Sequence, residues 1–234
     1  MAKPKLTNQK LGSVAFYLAI PLSYFLSFLF VVSIIKIFLV ADLSLISKGT
    51  GGVFFISFIA GIISARSFKM PKFRTWLHEM KHAVMVVLTG QRLKEIHVET
   101  HTGHVMYEGT VEHLRYGPLV ILAPYYFPFF SLPLFGLLLF FEPIDRRFSA
   151  ALLGFFLALD MATSYMEIDP IQSDLQRIWG GIFVAKFFVL GIQLLFLTTA
   201  LLWVIAGGIG LLFPLNEVAR YIYSLLKFTL GVPQ

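Results

Sequence analysis

One five-residue stretch, His78-Glu79-Met80-Lys81-His82, carries residue types and a spacing that can do chemistry. Residues four apart on an α-helix lie one turn above each other on the same face. His78 and His82 can therefore offer two imidazole nitrogens to one tetrahedral metal ion. Glu79 lies about 100° further round and can reach a water on that ion. Zinc lowers the pKa of a coordinated water to around 7, and a neighbouring carboxylate can take its proton as the water attacks a carbonyl. The same carboxylate can then protonate the departing amine. Six His and eight Glu scattered at random over this chain would produce the pattern about 0.005 times.

A site that keeps one position open for water needs a third protein ligand. The chain has no cysteine, so the ligand must be His, Asp or Glu. Downstream, Asp160, Glu167, Asp169 and Asp174 are the candidates. Asp174 is preferred because it stands at the entrance to the last long apolar run, where a helix start can hold it. Asp160 is the alternative; otherwise it serves as a buried partner for Lys81 or for a neighbouring hydroxyl. Lys81, beside the metal-binding face, must point away or be neutralised by Asp160 or Glu167.

The elements that position these residues are membrane helices. Of 234 residues, 57% are hydrophobic and 14% charged, and mean hydropathy is +0.79. Soluble domains are nearer half apolar and a quarter charged. The net charge of +6 is concentrated. Lys3, Lys5 and Lys10 precede the first apolar run; Arg66, Lys69, Lys72 and Arg74 follow the second. Both clusters read as cytosolic anchors rather than as a nucleic-acid patch. His78 follows Arg74 by four residues, so the metal would sit about 6 Å inside the membrane edge. Ionisable groups at that depth are expensive unless they serve a site.

Apolar runs at Leu11–Val40 (with Pro21), Gly51–Ala65, Tyr116–Phe141, Phe148–Met166 and Ile178–Leu212 alternate with polar breaks. The run from Tyr116 is expected to kink or unwind near Ala123-Pro124-Tyr125-Tyr126. The metal-binding helix, Thr75–Leu88, should stop at Thr89-Gly90. Arg92–Glu108 alternates about Thr102-Gly103 and reads as a β-hairpin. Asn216–Leu230 reads as an interfacial amphipathic segment. The expected fold is an all-α polytopic membrane protein of about six transmembrane helices with a small hairpin after the metal-binding helix. It divides into 1–74 (N-terminal spans), 75–179 (a metalloprotease-like core with the hairpin) and 180–234 (a C-terminal span and tail). His97, His101, His104 and His113 could suggest a second metal, but a polar hairpin face explains them. Lys186 and Gln193 read as snorkelling or hydrogen-bonding groups.

The helix Leu77-His78-Glu79-Met80-Lys81-His82-Ala83, the hairpin, the Leu122-Ala123-Pro124-Tyr125-Tyr126 segment and the late Ser173-Asp174-Leu175 together resemble the site-2 protease (M50) family of intramembrane metallopeptidases. That resemblance implies Zn2+ held by His78, His82 and Asp174, with Glu79 as base. It also implies a strand near the site, here Arg92–Glu108, that pairs with an unwound substrate segment. The expected function is hydrolysis of a peptide bond in a membrane-embedded or membrane-proximal substrate. Alternatives are a non-catalytic membrane scaffold with a structural metal, or metal sensing and transport. Expected partners are a membrane-protein or peptide substrate and the lipid bilayer, with a homo-oligomer or a regulatory membrane partner as further expectations and no nucleic acid. The expected location is a prokaryotic cell membrane, multi-pass, with a cytosolic N-terminus.

Overall fold

The computed structural model describes residues 13–40, 49–67, 70–100, 102–108, 116–140, 145–169 and 172–229. Lys3, Lys5, Lys10, Lys69, His101 and His113 lie outside them. Eight helices and one hairpin are described: α1 (Val14–Val40), α2 (Thr50–Ser67), α3 (Pro71–Leu88), β1 (Arg92–Val98), β2 (Gly103–Glu108), α4 (Gly117–Tyr126), α5 (Ser131–Phe140), α6 (Arg146–Met166), the four-residue α7 (Ser173–Gln176) and α8 (Gly181–Thr229). Pro21 sits inside α1 without ending it, and α8 kinks at Gly207 (φ +67°).

Four stretches are long and apolar enough to cross a bilayer: Val14–Ile37, Thr50–Ser67, Arg146–Met166 and Gly181–Gly208. The pair α4 and α5, bent by 87°, makes a fifth if taken as one broken span. The described helices thus offer four or five spans where the sequence suggested about six. The difference is α3, which is not among the apolar spans.

Two pairs of long helices make the frame. Helices α2 and α6 approach through reciprocal glycines. A Cβ at Gly61 would collide with the Phe155 carbonyl and come within 2.8 Å of Ala158 Cβ; a Cβ at Gly154 would come within 2.5 Å of the Phe54 carbonyl oxygen. Removing side chains lets backbones approach, which is how helices gain contact in lipid, where apolar burial gives no net drive. Helix α1 lies on α8, where Tyr17 Oη donates to Trp179 O (2.9 Å) and Tyr24 Oη to Phe187 O (3.2 Å).

Between these pairs sits α4, fully enclosed, with Leu122, Ala123 and Tyr125 at 0% exposure. The chain turns after α4, and Asp160 of α6 explains where. Its carboxylate accepts from Phe130 N (3.0 Å), Ser131 N (2.8 Å) and Ser131 Oγ (2.8 Å), capping α5. The break therefore falls at 127–130, just beyond the expected 123–126, and Pro124 stays inside α4.

Pro71 opens α3 at a position whose N–H has no intrahelical partner in any case. Gly90, at φ +75°, closes it. Gln91 N–H reaches Val86 O and Gly90 N–H reaches Val87 O, the paired bonds of a Schellman stop. The chain then forms the antiparallel hairpin, with Val98 opposite Gly103, His97 opposite His104 and a bulge between Leu93 and Glu95. Leu93 and Val105 pack onto the core.

Gly61→Val and Gly154→Val are each expected to destabilise the protein by about 1–3 kcal/mol or more through overpacking. Thermal melts in detergent should show lower midpoints, whereas Gly136→Ala, with open space around it, should leave the midpoint unchanged or higher. Equal melting of all four proteins would rule out the close α2–α6 contact.

Candidate metal centre

The helical spacing puts the His78 and His82 rings on one face of α3, with centroids 5.0 Å apart. Asp174, from the first turn of α7, arrives between them. Its Oδ2 lies 3.8 Å from His78 Nε2 and 3.6 Å from His82 Nε2. One ligand atom from each residue falls within 4.8 Å of the others, and no other such group of three occurs among the described residues.

Both imidazoles are oriented from behind. His78 Nδ1 lies 2.8 Å from Glu167 Oε2, and His82 Nδ1 lies 2.7 Å from Val120 O. Each acceptor fixes the Nδ1–H tautomer and leaves Nε2 facing Asp174. The Val120 carbonyl is free for a local reason. Its helical donor would be the N–H of residue 124, which is proline and has none.

The fit to zinc can be tested on these distances. Ligand atoms of a tetrahedral zinc are about 3.3 Å apart, given bonds of 2.0–2.2 Å to N and O. Separations of 3.6 and 3.8 Å are too long for hydrogen bonds and need only a small contraction to reach that value. Two neutral imidazoles and one carboxylate also match a hydrolytic zinc site that keeps a position open. The residues fit the ion.

Of the sequence candidates, the structure brings His78, His82 and Asp174 together and puts Asp160 elsewhere, as the cap of α5. Glu167 meets His78 at the Nδ1 side. Asp169 contributes its carbonyl to a turn, accepting from Gln172 N (3.0 Å). Lys81 is 1% exposed and donates to Pro124 O (3.1 Å) and Ser164 Oγ (2.8 Å). His97 and His104 stack across the hairpin at 5.2 Å, with His97 Nε2 3.2 Å from Glu99.

Glu79 is 6% exposed and lines a cavity of about 890 Å³ together with His78, His82 and Asp174. The start of β2 presses on it: a Cβ at Gly103 would lie 2.6 Å from Glu79 Cγ and 2.7 Å from Oε1. Only glycine leaves the carboxylate its room. Tyr125 supports the other side. Its ring stands edge-on to His78 at 5.8 Å, and its hydroxyl donates to Gln172 Oε1 (2.7 Å), tethering the segment that carries Asp174.

A family model described as Peptidase M50B-like matches residues 65–209, more than half of the chain. The chain belongs to the Peptidase M50B-like family. No curated protein and no solved structure was found to match it. The matched stretch runs from the last turn of α2 into α8 and contains every residue of the cluster. With its apolar helices, membership marks the chain as an integral membrane protein of a metallopeptidase family.

Sequence reading of this M50B-like chain missed three contributors: Glu167 as orienting partner of His78, the Val120 carbonyl, and Gly103 against Glu79. Only the second had a sequence signal, a proline four residues on.

The electrostatics follow from the packing, in elements outside the apolar spans. Burial alone would lower the pKa of His78, but the carboxylates of Asp174 and Glu167, with Glu79 further off, outweigh it and push it up to about 9. Burial would raise Asp174, but the two imidazoles hold it below the usual carboxylate range. Burial dominates at Glu79 and raises it, against the pull of His82 and His78.

Zinc needs an unprotonated Nε2, so below pH 9 binding must displace a proton from His78. Zinc affinity should rise with pH, about tenfold per unit between pH 6 and 8 from this group alone. Competition with a chelator at several pH values measures it, and a flat profile would contradict the raised pKa. Glu167→Gln should weaken zinc about 10–100-fold in the same assay, the usual effect of removing an outer partner of a ligating His.

Proposed function

We propose that the protein is a membrane zinc metalloprotease that hydrolyses a peptide bond in a membrane-embedded or membrane-proximal substrate. The observation that carries this reading is one cavity lined by His78, His82, Asp174 and Glu79. Membership of a peptidase family supports it.

His78, His82 and Asp174 would hold the ion. Zinc, when bound there, polarises a carbonyl and acidifies a water. Glu79 is the only carboxylate of the cavity that is not turned toward a ligand as orienting partner or ligand itself. It accepts the proton of the attacking water at a carboxylate oxygen and delivers it to the departing amine nitrogen, so the C–N bond breaks as the new C–O bond stays. Burial, which raises its pKa, brings it closer to the pH at which a group can both take and return a proton. Gly103 keeps the Glu79 side chain on that line.

The hairpin has two strands only, so the outer edge of β2 has no strand partner among the described residues. Residues of β2 line the cavity. An extended substrate segment can add to that edge. Its backbone groups, released when a membrane helix unwinds, then find partners. The cytosolic N-terminus belongs to this proposal, carried by the basic residues beside the spans.

Glu79→Gln should keep zinc near wild-type stoichiometry and lower cleavage by about 10²–10⁴-fold or more. Asp174→Asn should lose zinc and activity together. Gly103→Ala should bind zinc within about twofold of wild type yet cleave more slowly, because the added methyl displaces the base. The assay co-reconstitutes single-span reporter proteins with the full chain in vesicles and reads new termini by mass spectrometry, with metal analysis in parallel. A zinc-loaded wild type that gives no termini beyond those of Glu79→Gln would refute proteolysis and leave a scaffold with a structural metal.

A further inference from the structure

The cavity that holds the metal cluster also has three arginines in its walls: Arg66 in the last turn of α2, Arg74 in α3 and Arg177 just after α7. Three carboxylates face the same space but are committed elsewhere. Glu167 is bonded to His78, Asp174 lies between the two imidazoles, and Glu79 is pressed between α3 and Gly103. The ion pairs among the described residues do not include any of the three arginines. A guanidinium is always charged and presents five N–H donors suited to a carboxylate. Three of them around a peptidase-like cleft, with no acid among the described residues paired to them, form a binding surface for anions.

Their placement selects an extended peptide over a lipid headgroup. Thr75, next to Arg74, donates to Thr100 O (3.2 Å), which sets Arg74 beside the hairpin turn and the Gly103 end of β2. Arg177 lines the cavity with Tyr107, near the far end of the same strand, and follows Asp174 by three residues. Gly103 and Tyr107, near the two ends of β2, line the cavity with both arginines, and we assign Arg74 to the first end and Arg177 to the second. Gly103 to Tyr107 is four strand steps, about 13 Å. A peptide strand laid on that edge would bring residues about four positions apart to the two arginines, with Glu79 and the histidines alongside.

We infer that the cleft selects extended peptide segments carrying acidic side chains on both sides of the bond to be cut, about four residues apart, held by Arg74 and Arg177 with Arg66 adding to the field. This rests on the proteolytic reading for the word "cut", but the selectivity is a binding property and can be measured without cleavage.

The test uses the full-length Glu79→Gln protein, zinc-loaded, in nanodiscs of zwitterionic lipid. Three labelled ten-residue peptides share one apolar centre and differ at two flanking positions four apart: Asp and Asp, Asn and Asn, or Lys and Lys. Anisotropy titrations should show the Asp peptide binding at least tenfold tighter than the Asn peptide and the Lys peptide weakest. The gap should narrow between 50 and 500 mM salt, because the charges are partly exposed. Arg74→Gln with Arg177→Gln should abolish the gap, and Arg74→Glu with Arg177→Glu should reverse it toward the Lys peptide; thermal melts establish that each variant is folded. Equal binding of the three peptides, or no saturable binding, would overturn the inference. So would a gap that survives in the arginine variants. If the arginines instead govern binding of vesicles containing phosphatidylserine and not of peptides, they are lipid anchors and the inference fails. Acid selectivity in a protein whose wild-type form cleaves nothing would leave this inference standing and remove only the protease reading. Cleavage of all three peptides at one rate by wild type would do the reverse.

Discussion

The metal cluster depends on two backbone carbonyls that prolines have freed. Pro124 cannot donate to Val120 O, and Pro128 cannot donate to Pro124 O. In a water-excluded interior a carbonyl left without a donor costs several kcal/mol, so each must be answered by another element. His82 Nδ1 answers the first; Lys81 and Ser164 answer the second. The next carbonyl, Tyr125 O, accepts from Gln193 Nε2 of α8 (2.7 Å). Two prolines one turn apart thus dock α3 and α6 onto α4 through its own backbone, and the open carbonyl at the end of α4 docks α8. One of those docking bonds also sets the orientation of His82 in the His78–His82–Asp174 cluster.

This arrangement explains why α4 is so deeply enclosed and why it is interrupted where it is. A helix with open carbonyls cannot face lipid. It must lie inside, which needs the outer frame of α2 with α6 and α1 with α8. The glycines that bring α2 and α6 together thus act on the site at one remove. They set where α6 runs, and α6 carries Ser164 to Pro124 and Asp160 to the start of α5, while Glu167 caps its end. The bend and the orientation of His78 come from one helix.

The local part of the site was legible in the sequence, and the tertiary part was not. His78, Glu79 and His82 follow from helical periodicity, and the hairpin from alternation about Gly103. Asp174 lies 92 residues beyond His82, and only its place before the last apolar run, with the resemblance to a family, favoured it over Asp160. The two acids differ in what reaches them. Asp160 meets the backbone N–H groups of Phe130 and Ser131, whereas Asp174 meets imidazoles. The described residues offer four or five spans against the expected six; the remaining one is α3, placed beside the apolar runs by its position in the chain rather than by its own composition. The kink after Tyr126 was placed slightly early because a proline marks where a helix lacks a donor, not where it ends. Here the end is set by Asp160.

Lys81 shows how the same constraint resolves an apparent conflict. A buried ammonium one residue before a metal-binding histidine should oppose a divalent cation, and at short range in a poor dielectric that repulsion would be large. Its long stem lets the charge leave the ligand face. Nζ ends at Pro124 O, which Pro128 cannot serve as donor, and at Ser164 Oγ of α6. Glu167 and Asp160 lie within electrostatic reach of it. Glu167 therefore faces two ways, bonded to His78 and attracting Lys81, and the carboxylate that orients His78 also offsets the cation behind it. The lysine and the imidazole do not compete for α4. They take carbonyls one turn apart on α4, although they are neighbours on α3, because the lysine stem is long enough to reach the farther one.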